Sequence, residues 1–520
     1  MYRELLDAVA ADDVERVRAL LDAGQSADPP EDGGPTALYR AAARGRVEIV
    51  RELLAHGAAP DRISVAAPGP APGEEGAGAG GDDDGLPLCG AAACGDVETV
   101  AALLAAGADP RAAERDGWTP LLWAAANGHT AAARTLLEAG ADVEAHNDHG
   151  DTPLTLAARR GATGVVRALL EHGADPDAPD GDGDTALSIA EDWLGVHLET
   201  ALLEHAELEA PEGTEFTVTR APSPDGHDVV TVASRDGEVV LCAQRGHAAV
   251  VTLLEQALEI FVPFPDMLRR ALAYRDADRD HETWWTVVDA LAARDDEETF
   301  EAALELCTGD DPRGREFGAD LLGALASRED SADSAGLGDQ GADETRAARA
   351  VPVLRRMAVT EGVEAVLDSV LNALGRYGDP RALPEVLAVI RRPGRTPTPA
   401  DPMALAAVMP GVGEDGYDDA LAELLRMTED DDPEVREWAT QAVAGLQADG
   451  EPIRAALAAR LEDSNLTAVA EAARGLAERD DARARDGVQR VLAESGDEYA
   501  RDLAVQAARR LGLPETELHP

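Results

Sequence analysis

Two short stretches of the chain hold residues with the types and spacing of a metal site. Asp180, Asp182 and Asp184 alternate with glycines, and Glu191 stands at the twelfth place counted from Asp180. A calcium loop draws oxygen ligands from such places, but it turns sharply on a glycine at its sixth place, where Thr185 stands here. The acids therefore read as an ordinary acidic hairpin rather than a calcium site. His146, Asp148, His149 and Asp151 crowd a second hairpin. Imidazole and carboxylate are competent transition-metal ligands, yet exposed hairpin-tip residues are the reading we prefer. His281-Glu282 lacks the second histidine of a metalloprotease helix, and neither a glycine-rich phosphate loop nor a nucleophile elbow occurs. Cys89, Cys94, Cys242 and Cys307 form no CxxC pair or disulfide framework and suit small core positions as free thiols. No catalytic residue, metal or cofactor is expected.

Charge sets the kind of partner. The chain carries 101 acidic and 46 basic residues, a net charge of -55, and every basic residue is an arginine. Arginine with abundant alanine and glycine suggests a high-GC bacterial genome, and the acid excess also fits a salt-adapted proteome. Binding to a phosphate backbone rests on cationic neutralisation, so nucleic acid is an unfavoured partner. Met1-Tyr2-Arg3-Glu4-Leu5 opens a charged amphipathic helix, and no apolar run approaches the roughly 20 residues of a membrane span. A soluble, cytoplasmic protein without a membrane partner is expected.

The elements that carry these residues repeat. Leu-Leu pairs recur at Leu20, Leu53, Leu103, Leu136, Leu169 and Leu202, a step of 33 residues broken once by a step of 50. Thr36, Leu86, Thr119, Thr152 and Thr185 keep the same phase, three of them followed directly by proline and two by alanine and leucine. Threonine caps a helix and proline tolerates its first position. Gly45, Gly95, Gly128 and Gly161 end that helix, a second helix carries the leucines, and Gly57, Gly107, Gly140 and Gly173 close it.

Asp-Gly-Trp-Thr-Pro-Leu from Asp116, Gly128-His129, Leu136-Leu137 and Gly140-Ala141-Asp142 resemble the ankyrin repeat over residues 1–210. The surplus of the 50-residue step lies in 65–84, rich in Ala, Gly, Pro and acid, and reads as a loop inserted between repeats. Beyond Pro211 two β-branched runs flank Ser234-Arg235-Asp236-Gly237, a hairpin signal. Gly246-His247 and Leu253-Leu254 look like the second half of another ankyrin repeat, so 211–264 is either a hairpin plus helix or a degenerate seventh repeat. From 265 to 520 the chain is helical, with Asp311-Pro312, Asp379-Pro380 and Asp432-Pro433 opening helices, an acidic loop at 326–344 and a Pro-rich one at 391–402. Asp-Asp-Pro-Glu-Val-Arg from Asp431 and the stretch from Leu374 resemble HEAT repeats of the short bacterial type, in four to six helical pairs. The expected fold is an all-α repeat solenoid, an ankyrin stack followed by a HEAT-like array with a short β-hairpin between.

Both resemblances imply an interaction protein with long concave surfaces, a scaffold or adaptor without catalysis. The ankyrin resemblance places contacts on hairpin tips and first-helix faces: Arg115, Asp116, Trp118, Ala126 and Asn127, then Asp148, His149, Asp151, Arg159 and Arg160, then Asp182, Asp184 and Trp193. Trp118 is the chosen anchor, while Trp123 and the Trp284-Trp285 pair are assigned to the core. The partner is expected to be a protein with a basic or amphipathic surface. The alternative is a HEAT-like enzyme or lyase-related subunit acting on a small molecule or protein-bound chromophore.

Overall fold

Threonine fixes the start of four of the short first helices. Thr36, Thr119, Thr152 and Thr185 each accept the amide three residues on, at 3.1, 3.3, 3.2 and 3.3 Å. Each bond satisfies an amide that the helix leaves unpaired. Leu86 cannot cap, and its own amide donates to Glu114 Oε1 instead. The computed structural model describes residues 2–29, 35–65, 85–211, 213–222, 228–237, 239–274, 282–334 and 340–513. Apart from Val65, the loop insertion expected at 65–84 lies outside them, as does His281.

Five helical pairs follow one another: α1 (Tyr2–Ala10) with α2 (Val14–Asp22), α3 (Ala37–Ala42) with α4 (Val47–Ala55), α5 (Pro87–Cys94) with α6 (Val97–Ala105), α7 (Pro120–Asn127) with α8 (Thr130–Glu138), and α9 (Pro153–Arg160) with α10 (Thr163–Glu171). First helices pack on first helices and second on second, so one apolar core runs without a break from Leu5 to Leu254. Leu53, Leu103, Leu136 and Leu169, the leading leucines of their pairs, are fully buried. A single pair could not bury its apolar face, but the stack does. Ser64 and Gly85 pair as an isolated antiparallel bridge, so the chain leaves and rejoins the stack at one point around the inserted segment.

After α11 (Ala186–Glu191) the chain departs from the expected order. α12 (Leu198–Glu209), which carries the Leu202-Leu203 pair, packs on a three-stranded antiparallel sheet rather than in the row of second helices. The sheet runs β1 (Phe216–Pro222), β2 (Asp228–Ser234), β3 (Val240–Gln244) in that spatial order, with Phe216 opposite Ser234 and Val229 opposite Gln244. Leu198, Leu202 and Ala206 form a small separate core with Val230, Val232 and Ala243. The expected hairpin is β2–β3, and β1 is an additional strand.

The second helix of the sixth repeat is instead α13 (His247–Ala257), which packs on α10 and α11 and places Val250, Val251 and Leu254 in the main core. His247 Nε2 lies 3.2 Å from the Arg159 carbonyl, as His129 Nε2 lies 3.1 Å from that of Ala93, and Ala93 and Arg159 hold the same place in their repeats. Residues 192–245 are therefore an insertion within the sixth repeat. This replaces both the end of the array at 210 and the seventh repeat. The 33-residue phase of Leu202 shows an amphipathic helix but cannot say which surface that helix covers.

Two helices follow, α14 (Phe264–Ala273) and α15 (Glu282–Ala292). Trp284 is buried, but Trp285 is 44% exposed, so only the first belongs to the core. The chain divides into two compact units, residues 1–290 and 291–520, later than the expected start at 265.

The second unit holds α16 (Glu297–Leu306), α17 (Pro312–Ser334), α18 (Gln340–Thr360), α19 (Glu364–Tyr377), α20 (Leu383–Ile390), α21 (Ala400–Ala407), α22 (Tyr417–Met427), α23 (Pro433–Gly445), α24 (Glu451–Arg460), α25 (Leu466–Glu478), α26 (Ala484–Glu494) and α27 (Glu498–Arg510). The odd-numbered helices from α17 to α27 form one continuous row, each packed on the next. α17 and α18 extend into the acidic stretch read as a loop, leaving only 335–339 outside the described residues. Asp311, Asp379 and Asp432 accept amides just beyond the proline that follows each of them, at 3.2, 2.9 and 2.9 Å. Aspartate capping before proline thus operates at all three expected starts.

Candidate interaction surface

Three hairpins between repeats are closed by a backbone pair four residues apart: Glu114 with Trp118 at 2.8 Å, Asn147 with Asp151 at 3.2 Å, and Asp180 with Asp184 at 2.8 Å. The first side chain of each later tip holds its turn. Asn147 Oδ1 accepts the amides of His149 and Asp151 at 3.0 and 2.9 Å, and Asp180 Oδ1 accepts those of Asp182 and Asp184, both at 3.0 Å. Neighbouring tips are tied together, the Asp148 amide donating to the Asp116 carbonyl at 2.8 Å. At Gly150 a Cβ would come 2.7 Å from Gly181 while φ is 83°, so both space and conformation demand glycine.

This geometry explains the acids that resemble a calcium loop. The Asp180 side chain is 3% exposed; its Oδ2 takes Arg159 Nη2 at 3.1 Å, and Arg159 Nη1 reaches Asp151 Oδ1 at 3.1 Å. Both Asp180 oxygens are engaged in holding the turn and tying two repeats, whereas Asp182 and Asp184 stand exposed. Among the described residues no group of three or more His, Cys, Asp or Glu is placed to hold a metal ion.

The aromatic part of the surface joins the third and fourth repeats. The rings of Trp118 and Trp123 lie against each other, centroids 4.4 Å apart and planes 31° from parallel. Both are half-buried. The Trp123 indole N–H donates to Glu114 Oε2 at 3.0 Å, while Glu114 Oε1 takes the Leu86 amide at the start of α5. One carboxylate thus fixes an indole and caps a helix of the preceding repeat. Trp123 shares its repeat position with Arg40, Gly90, Leu156 and Ile189 on the first helices, and of these Gly90, Leu156 and Ile189 are buried. Trp123 thus packs against the main core, as expected, while remaining partly exposed beside Trp118.

The other expected site residues divide. Arg115, Asp116, Asp148, His149, Asp182 and Asp184 are exposed on the tips, Asp151 is half-buried beside Arg159, and half-buried Asn127 Nδ2 donates to the Trp123 carbonyl at 2.9 Å. Ala126 is half-buried and packs against the main core. Arg160 does not join this surface. Its Nη1 donates to the Cys242 carbonyl at 2.7 Å and touches Cys242 Sγ, so it anchors β3 of the insertion. Trp193 also lies elsewhere, stacked on His247 with centroids 4.9 Å apart in a cleft of about 290 Å3 that Glu199, Arg245 and Tyr274 help to line. Burial pushes the His247 imidazole down to about 4, opposed by its bond to the Arg159 carbonyl. Burial alone would raise the Glu199 carboxyl, but a backbone hydrogen bond at Glu199 itself, the hydrogen bond from the Arg245 side chain and the charges of Arg245 and Arg220 hold it below its usual range.

Family models described as ankyrin repeats match residues 5–54, 88–180 and 144–207. The N-terminal part of the chain is built of ankyrin repeats. The match ending at 207 takes in α12, whose leucines serve the insertion's own core rather than the ankyrin stack. Comparison with curated proteins returns no match. No helix among the described residues is long and apolar enough to cross a membrane.

Proposed function

We propose that the chain is a non-enzymatic, cytoplasmic scaffold or adaptor that binds a protein partner on the hairpin tips and first-helix face of its ankyrin repeats. The observation that carries this reading is the Trp118–Trp123 pair, two half-buried indoles held by Glu114 on a framework of tied hairpins. Large aromatic residues on a rigid support are typical binding hot spots, because little side-chain entropy is lost when they are covered. The partner presents a basic or amphipathic surface, drawn by the net charge of -55.

In this reading the second unit is a HEAT-like array that offers a further surface. Its support is the recurring arginine four residues after the capping aspartate. Arg315 donates to the Gly309 and Asp310 carbonyls and pairs with Glu361; Arg436 donates to the Asp430 and Asp431 carbonyls and pairs with Asp463. Crosslinking mass spectrometry on a native pulldown tests the proposal. Crosslinks from a captured protein should concentrate on residues 114–160 of the first unit. A partner crosslinked only to the second unit would overturn the assignment of the face.

A further inference from the structure

We infer that the Trp118–Trp123 pair is a seat for an arginine side chain of the partner, chosen over lysine by stacking on the outer side of the indole pair and by the carboxylates around it. The inference rests on the ankyrin face being the interaction surface and adds the chemistry that it reads. Three observations combine. First, the two indoles stack on each other, 31° from parallel at 4.4 Å, and both stay partly exposed, so what they offer a ligand is the outer side of a stacked pair and not an enclosing cage. A planar guanidinium stacks on such a surface with its edge donors free, whereas a compact, strongly hydrated ammonium keeps more of its water and gains less.

Second, the Trp123 N–H is already donated to Glu114 Oε2 at 3.0 Å. Trp123 therefore has no N–H left to offer a ligand, and the charge-assisted bond leaves the stacked indole pair richer in electrons for a cation. Third, the edge donors of a stacked guanidinium have acceptors at hand. Asp116 is exposed two residues before Trp118, and Asp148 is exposed on the next tip, its amide held by the Asp116 carbonyl. Arg115 and His149 stand on the same two tips and temper this negative field, so stacking on the indoles must carry the selectivity.

The test uses the full chain and three acetylated, amidated octapeptides in which glycine alternates with arginine, lysine or citrulline, titrated by calorimetry at 150 mM salt. The general acidity of the protein attracts the arginine and lysine peptides alike, so the difference between them reports the seat. The arginine peptide should bind about fivefold tighter than the lysine peptide, within the range of a cation–π contact, and the citrulline peptide should bind weakest. Trp118→Ala should bring the arginine peptide to the level of the lysine peptide and leave the latter unchanged. Hydroxyl-radical footprinting of the unsubstituted protein gives a readout independent of any folding defect: the arginine peptide should protect Trp118 and Trp123, and the lysine peptide should not. Equal binding of the two cationic peptides, or no protection of these tryptophans, overturns the inference. A native partner crosslinked to residues 114–160 in the absence of any arginine preference would overturn this inference and leave the scaffold proposal standing.

Discussion

Two buried polar side chains hold more of this structure than their burial alone would suggest. Arg479 is 9% exposed, and its guanidinium donates to the carbonyls of Ala444, Gly475 and Ala448 at 3.0, 2.8 and 3.0 Å, closing the end of α23 against α25. Arg479→Ala leaves those acceptors unsatisfied and should cost about 2–4 kcal/mol, read as a lower urea midpoint. Arg479→Lys should recover little, since one ammonium cannot span the fork of a guanidinium. His247 makes a pH prediction. Its folded pKa of about 4 lies below the ordinary histidine value of 6.5, so the unfolded chain binds the proton more readily. The neutral ring's full contribution is present above about pH 6.5, and stability is lost as pH falls from there through 4. Comparing urea midpoints at pH 7 and pH 5, His247→Gln should show a smaller drop than the unsubstituted protein; equal drops would mean that the ring is solvated. At this scale the place of Trp118 on the hairpin beside the Thr-Pro helix start was legible. The stacking of Trp123 on Trp118 was not, because the sequence places Trp123 against the core without showing where its ring points.

At the scale of elements, repeat phase located the first five helical pairs but misjudged the sixth. Leu202 keeps the 33-residue step, yet the second helix of that repeat starts at His247, on the far side of α12 and the sheet. Phase reports amphipathic helices, and an insertion carrying its own apolar core supplies one that fits by accident. Hydrogen exchange separates the two helices. Leu254→Ala should loosen α10 and α11, whereas Leu202→Ala should loosen α12 and the strands alone; the reverse pattern would restore α12 to the stack. The segment 65–84 allows a second test. It is bracketed by the paired Ser64 and Gly85, which hold the places of Glu114 and Trp118 in the next hairpin. Replacing 65–84 with the three-residue tip Arg-Asp-Gly should therefore close a regular hairpin and move Tm by less than about 2 °C, since shortening a long loop changes closure entropy only slowly. A fall of about 10 °C would show that the segment contributes to the stack.

Across the whole molecule, charge governs the approach of a partner and the tryptophan pair governs how long it stays. A net charge of -55 acts over a screening length of about 8 Å at physiological ionic strength, so association with a basic partner should slow as salt rises. Composition made this legible from the sequence; the partner's identity has no such signature, because repeat surfaces encode shape and charge rather than a reaction. The most direct measurement is stopped-flow association and dissociation of the captured partner with the unsubstituted chain and with Trp118→Ala, across a series of salt concentrations. Association should slow with salt equally for both proteins, while Trp118→Ala should dissociate about thirtyfold faster, corresponding to a hot spot of about 2 kcal/mol. Association independent of salt, together with an unchanged dissociation rate in Trp118→Ala, would contradict the account.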